Sequence, residues 1–191
     1  METAQHGARP ALALLATLLL VSCAGPSQEW TRPGAARISK LAVLPFENQT
    51  SAVRPGASVS ELLVSELLAS GPVAVMDPSE VADLLRRENL DPADAGRLPS
   101  AQRIGRLLQV SHVLQGSVTE YRYKPGLSET PAVGVTARLV EVASGEVVWS
   151  ASHARLGSSW IREDGLARVA QQVAHDMAAH LTGALGDARA R

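Results

Sequence analysis

Residues 132–153 read AVGVTARLVEVASGEVVWSASH, and no other stretch restricts the fold as tightly. Val133, Val135, Ala137 and Leu139 alternate with Thr136, Arg138 and Val140, the period-two pattern of a strand with one face turned to a core. Ala143-Ser144-Gly145-Glu146 predicts a tight turn with glycine at the left-handed position. Residues 147–153 then pair back, so part of the sheet must be antiparallel.

The residues before the hairpin alternate between short apolar runs and runs of helical period. KLAVLPF (40–46) predicts a strand and ENQTSAVRPGA (47–57) a loop. SVSELLVSELLAS (58–70) predicts a helix, with Ser58 and Glu61 at capping-box spacing and Val59, Leu62, Leu63, Leu67 and Leu68 as its apolar stripe. Gly71-Pro72 ends it. VAVM (73–76) predicts a second strand. Asp77-Pro78-Ser79-Glu80 opens a second helix with a cap, a proline and an early acid, and this helix buries Val81, Leu84 and Leu85. After a loop over 89–99, a short helix from Ser100 carries Ile104, Leu107 and Leu108, and HVLQGSVTEY (112–121) predicts a strand. A last helix, from about Ile161 to Leu185, buries Leu166, Val169, Val173, Met177 and Leu181. The order β-α-β-α-α-β-β-β-α predicts an α/β fold, a single mixed sheet packed with helices.

The start of the chain predicts export. Residues 11–21, ALALLATLLLV, are apolar apart from Thr17. The run falls short of the roughly 20 residues that span a bilayer and fits the core of a secretory signal. The one cysteine of the 191 residues, Cys23, follows immediately. Leu20-Val21-Ser22-Cys23 resembles a bacterial lipobox, in which cleavage falls before the cysteine and that cysteine carries the lipid. Several acyl chains, at about 0.8 kcal/mol per buried methylene, give stable anchoring. Ala24, in place of an aspartate, favours the outer membrane, with the domain facing the periplasm. Residues 1–22 are thus expected to be a signal peptide, 23–38 a lipidated cysteine and flexible tether, 39–185 the folded domain and 186–191 a disordered tail. Trp30, in the tether, either packs on the domain or sits at the membrane interface. Asn48-Gln49-Thr50 matches a glycosylation sequon, a chance match in a bacterial lipoprotein.

LAVLPFEN, SELLVSELL, VAVMDPSEVADLLRREN, RIGRLLQVSHVLQGSVTEY and VGVTARLVEVASGEVVWS together resemble one superfamily over residues 39–155. It includes the curli-secretion CsgG proteins, the peptidoglycan-synthase activator LpoB and the N-terminal domain of TolB. The shared residues are mostly core and turn positions, so they point to the fold more than to a member. His112 departs from an acidic residue that the superfamily often carries there. Pore-forming members insert long hairpins, whereas RYKPGLSETP here is too short and too polar for two membrane strands. The resemblance implies a non-catalytic protein-binding module in envelope assembly or secretion, with homo-oligomers as a feature of the superfamily. The alternative is an LpoB-like activator of a peptidoglycan synthase, a penicillin-binding protein.

The remaining residues point to contact, not catalysis. The net charge is −1, with sixteen Arg and two Lys scattered among nineteen acids, so no basic face is expected to bind nucleic acid. Phosphate-binding, nucleophile-elbow and zinc motifs are missing from the sequence, and neither cofactor nor metal is expected. His175 and His180 lie on different sides of their helix and cannot share a metal; Asp176 and His180 share a face as a surface pair. His112 and His153 fall near strand ends. Arg54, Arg97, Arg122 and Tyr123, in the loops 47–57, 89–99 and 122–131, are the expected contacts with an envelope protein.

Overall fold

The computed structural model describes residues 27–32, 38–71, 73–90, 98–126, 129–158 and 164–189. The expected signal peptide and lipobox with Cys23, and the expected contact residue Arg97, lie outside them. The six strands are β1 (Ser27–Thr31), β2 (Leu41–Val43), β3 (Glu47–Asn48), β4 (His112–Lys124), β5 (Thr130–Glu141) and β6 (Val147–Leu156). Among the described residues the helices are α1 (Pro55–Ser70), α2 (Pro78–Arg87), α3 (Leu98–Leu107) and α4 (Leu166–Arg189).

One open mixed sheet runs in the order β1-β6-β5-β4-β2, with β3 also on β4. The predicted hairpin is its centre: β4, β5 and β6 are antiparallel neighbours, while β2 and β3 pair with β4 in parallel. β2 stops at Val43 because Pro45 has no N–H to continue the ladder, and β3 resumes the same edge two residues after it. Gly145, at φ 76°, turns the chain between β5 and β6, its N–H donating to the Glu141 carbonyl at 2.8 Å.

Helices cover the two faces unequally. α1 and α4 pack on one face, where Leu63, Leu67, Val173, Met177 and Leu181 meet Leu114, Val133, Val135, Ala137 and Leu139. The alternation of β5 therefore places the expected four residues in the larger core. On the other face α2 and α3 bury Val81, Leu84, Leu85, Ala101, Ile104 and Leu108 against Ala42, Leu44, Val113 and Val140. That layer lies over the β2 side of the sheet. Gly116 brings two layers close, since a Cβ there would meet the Phe46 ring and the Thr136 carbonyl.

The α/β fold and single mixed sheet match the expectation, and the predicted order holds with some corrections. The stretch 24–38, expected to be a tether, contains β1, which five residues of low periodicity could not reveal. VAVM shrinks to a single bridge between Val75 and Leu41, with Leu41 N–H donating to Ala74 and Met76 N–H to Leu41, each at 2.8 Å. The first helix starts at Pro55, not Ser58. Proline suits the first helical position, and Gly56 lets the backbone press on Phe46, so Ser58 lies inside the helix and forms no capping box. Leu68 and Leu107 are exposed at the rims of their stripes, 58% and 44%. α4 begins at Leu166 and continues to Arg189, into the expected tail.

Candidate functional site

Among the described residues, buried or paired histidines fall in two clusters. The first lies where β1, β6 and α4 meet. Trp149 is 2% exposed, and its Nε1–H donates to Glu29 Oε1 at 2.9 Å. The other oxygen of Glu29 lies 3.1 Å from His180 Nδ1, near enough for attraction but out of line for a hydrogen bond. His180 packs edge-on against buried His153, ring centroids 4.9 Å apart. Burial holds His153 below the ordinary imidazole range, helped by His180 and opposed by Asp176 and Glu29. Asp176 lies 3.5 Å from Arg155, while His175 reaches Glu66 on α1 at 2.9 Å. The expected Asp176–His180 pair thus gives way to two separate partners on neighbouring elements. Among the described residues, no group of three or more His, Cys, Asp and Glu is arranged to hold a metal.

The second cluster is at the opposite end of the sheet. His112, 1% exposed, opens β4, with Nδ1 3.0 Å from Ser111 Oγ. That hydroxyl accepts from the backbone N–H groups of Ser39 and Lys40 and donates to the Lys40 carbonyl at 2.9 Å. A hydroxyl committed to three backbone groups clips the start of β2 to β4 and is not free to attack a substrate. Burial pushes His112 below its usual range against the opposing charge of Glu141. His112 pairs with Glu141, and His153 with Val135, in the register of β5. The two histidines are therefore about 20 Å apart along the sheet and form no joint site.

The larger feature is the part of the second sheet face that no helix among the described residues covers. Register places Gln28 and Trp30 of β1, Ser150 and Ser152 of β6, and Thr136 and Arg138 of β5 side by side on it. They line a shallow depression of about 330 Å³. It continues across Thr136 and Arg138 into a smaller hollow of about 70 Å³ with Glu47, Gln49, Gln115 and Ser117. Gln115 is 2% exposed, and its amide has no partner among the described residues. Trp30 is 51% exposed. The surface combines an aromatic, amides, hydroxyls, one guanidinium and the carboxylate of Glu47, which is contact chemistry: donors and acceptors flanking an exposed ring.

The expected contact residues fall elsewhere. Arg54 is exposed and precedes α1 in a left-handed conformation, φ 52°. Arg122 and Tyr123 are not in a loop: β4 extends to Lys124 and β5 begins at Thr130, because the long hairpin keeps its ladder almost to the tip. Arg122 is engaged with Glu120 at 3.0 Å, and Tyr123 is 45% exposed. Arg122 and Tyr123 are successive residues of one strand and so face opposite sides of the sheet. Sequence reasoning missed Gln28, Glu29 and Gln115. Arg138 carried a usable signal, since it sits on the polar side of the alternating strand. Asn48 is committed locally: its side chain donates to the Ala52 carbonyl at 2.8 Å and accepts from the Thr50 N–H at 2.9 Å.

Comparison with known proteins adds the kinship. The family model described as peptidoglycan-synthase activator LpoB matches residues 20–154. The PelC dodecamer from Paraburkholderia phytofirmans shares 30% identity and superimposes with a TM-score of 0.62, over 84% of this chain and 96% of that one. Lipoprotein GNA1162 from Neisseria meningitidis, 20% identical, superimposes at 0.57 over 80% of this chain and 98% of its own, a likeness of fold. No curated protein matches.

Proposed function

Because the chain belongs to the family of the peptidoglycan-synthase activator LpoB, we propose that it is a lipid-anchored, non-catalytic protein-binding module of the bacterial envelope. Cys23 carries the lipid, the domain faces the periplasm from the outer membrane, and the work is contact with other envelope proteins in assembly or secretion. The observation that carries this reading is the span of the family match. It begins at Leu20, inside the lipobox, and runs into β6, so it takes in the anchor motif and the sheet together. The open polar face and the absence of a nucleophile–base set in either histidine cluster support contact over catalysis. PelC from Paraburkholderia phytofirmans is a dodecamer, which supports assembly of this chain with itself. The wider kinship with CsgG and the N-terminal domain of TolB belongs to the same reading.

A second reading, activation of a peptidoglycan synthase, is favoured by the family's own description. One set of measurements separates the two. The mature lipidated chain is sized by light scattering and added to a penicillin-binding protein polymerising glycan strands. A ring with no change in polymerisation supports the assembly reading; a monomer with several-fold stimulation supports the activator. Photo-crosslinking groups at Trp30, Arg138, Arg54, Arg97, Arg122 and Tyr123, used in intact cells, then locate the contact surface. Loss of function on changing one polar residue in a still-folded chain would count against a non-catalytic role.

A further inference from the structure

β1 begins at Ser27, four residues after Cys23. Four residues of chain span at most about 14 Å. β1 is held along its whole length by β6, from Ser27 opposite His153 to Thr31 opposite Trp149. Glu29 accepts from the buried indole of Trp149 at 2.9 Å, the Arg32 N–H donates to the Val148 carbonyl at 2.8 Å, and the Arg32 guanidinium pairs with Glu146. The link between lipid and sheet is therefore residues 24–26, not a fifteen-residue tether with a reach of about 50 Å.

So short a link selects one end of the molecule. Ser27 lies opposite His153, three residues or about 10 Å along β6 from Leu156. Ala132 pairs with both Leu156 and Arg122, so the ends of β4 and β6 and the start of β5 lie at this same end. The β5–β6 turn is at the other end, with Val147 about 20 Å from His153 along β6. At the near end Leu156 and Tyr123 are 59% and 45% exposed. The basic groups there have acidic neighbours: Arg122 and Lys124 share Glu120, Arg155 lies beside Asp176, and Arg168 beside Asp164. Glu129, at the hairpin tip, brings the named acids level with the named cations. Among the described residues no net positive patch drives the contact, which rests on the anchor and on Leu156 and Tyr123.

Building on the assignment of the lipid to Cys23, we infer that this end of the sheet, with Leu156 and Tyr123 at its tip, rests directly on the phospholipid surface. The domain stands with β1 rising from the bilayer and the β5–β6 turn pointing into the periplasm. The short link also leaves the open polar face at a set angle to the membrane instead of free to tumble.

The test uses the mature lipidated chain on vesicles of phosphatidylethanolamine and phosphatidylglycerol containing a spin-labelled lipid that quenches fluorescence. A fluorophore is attached to a single introduced thiol, Leu156→Cys, Tyr123→Cys or Ser144→Cys; Cys23 is blocked by its own thioether. At least threefold stronger quenching at positions 156 and 123 than at 144 is expected. It should disappear when fifteen Gly/Ser residues are inserted between Cys23 and Ser27. Equal quenching at all three positions on vesicle-bound protein, or none at any, overturns the orientation while leaving the anchor intact. A bare Cys23 thiol by mass spectrometry, on protein that does not float with vesicles, overturns the anchor assignment and the orientation with it.

Discussion

Glu29 sits on a strand exposed at every residue and yet holds the largest buried side chain among the described residues, Trp149, by its indole N–H. Leaving a buried donor unpaired costs about 1–3 kcal/mol, so Glu29→Ala should lower the free energy of urea unfolding by that amount. Glu29→Gln, which keeps an acceptor, should restore most of it. His112 and His153 set a pH dependence. Burial lowers both below the ordinary value of 6.5; His180, Asp176 and Glu29 face the second, and Glu141 the first. As pH falls below 6.5 the unfolded chain binds protons that the folded one refuses, so stability declines. The decline flattens once pH passes below the folded-state values. Urea midpoints measured at pH 7.5, 6.5 and 5.5 should decrease in that order, and a constant midpoint would contradict the burial argument. None of these partnerships was legible in sequence, because Glu29 and Trp149 are 120 residues apart and no local pattern records a contact across that separation.

α1 shows how far periodicity carries and where it stops. Leu67 and Leu68 are equivalent in a count of apolar residues, but Leu67 is wholly buried against α4 and the sheet while Leu68 is 58% exposed. Leu67→Ala should cost about 2–5 kcal/mol, and Leu68→Ala should stay within about 0.5 kcal/mol, both read from denaturant midpoints. The stripe was visible in sequence; its rim depends on where α4 lies. The helix start was misplaced for a related reason. Ser58 and Glu61 have capping spacing, but Pro55 and Gly56 allow one more turn against Phe46. Asp77 shows the opposite case, a cap legible in sequence and present in structure: its side chain accepts from the Ser79 N–H at 2.7 Å. Hydrogen bonds from Ser79 hold its carboxyl below the usual range.

At the scale of the whole molecule, β1 closes one edge of the sheet only four residues after Cys23. Removing residues 24–31 should uncover the hydrogen-bonding edge of β6 and the Trp149 pocket. An uncovered edge of this kind invites pairing between chains. The shortened protein should therefore unfold at lower urea and elute from a sizing column as heterogeneous aggregates. An unchanged midpoint with a single sharp peak would mean that β1 contributes little to the sheet. The unequal cover of the two faces is also a property of the whole. Among the described residues no helix covers the β1–β6–β5 side of one face, and register brings Trp30, Arg138 and, from neighbouring β4, Gln115 together there.

Local chemistry alone was enough for the hairpin with its turn at Gly145, the buried stripes of α1, α2 and α4, the cap at Asp77 and the α/β class. Each depends on alternation, helical period or a turn residue acting within a few positions of itself. The tertiary structure decided the docking of residues 27–31 as an edge strand, the pairing of Glu29 with Trp149, the extension of β4 through Arg122 and Tyr123, and the open polar face. Those outcomes depend on which distant segment offers a hydrogen-bonding edge or a buried donor, and that is settled only when the chain closes on itself.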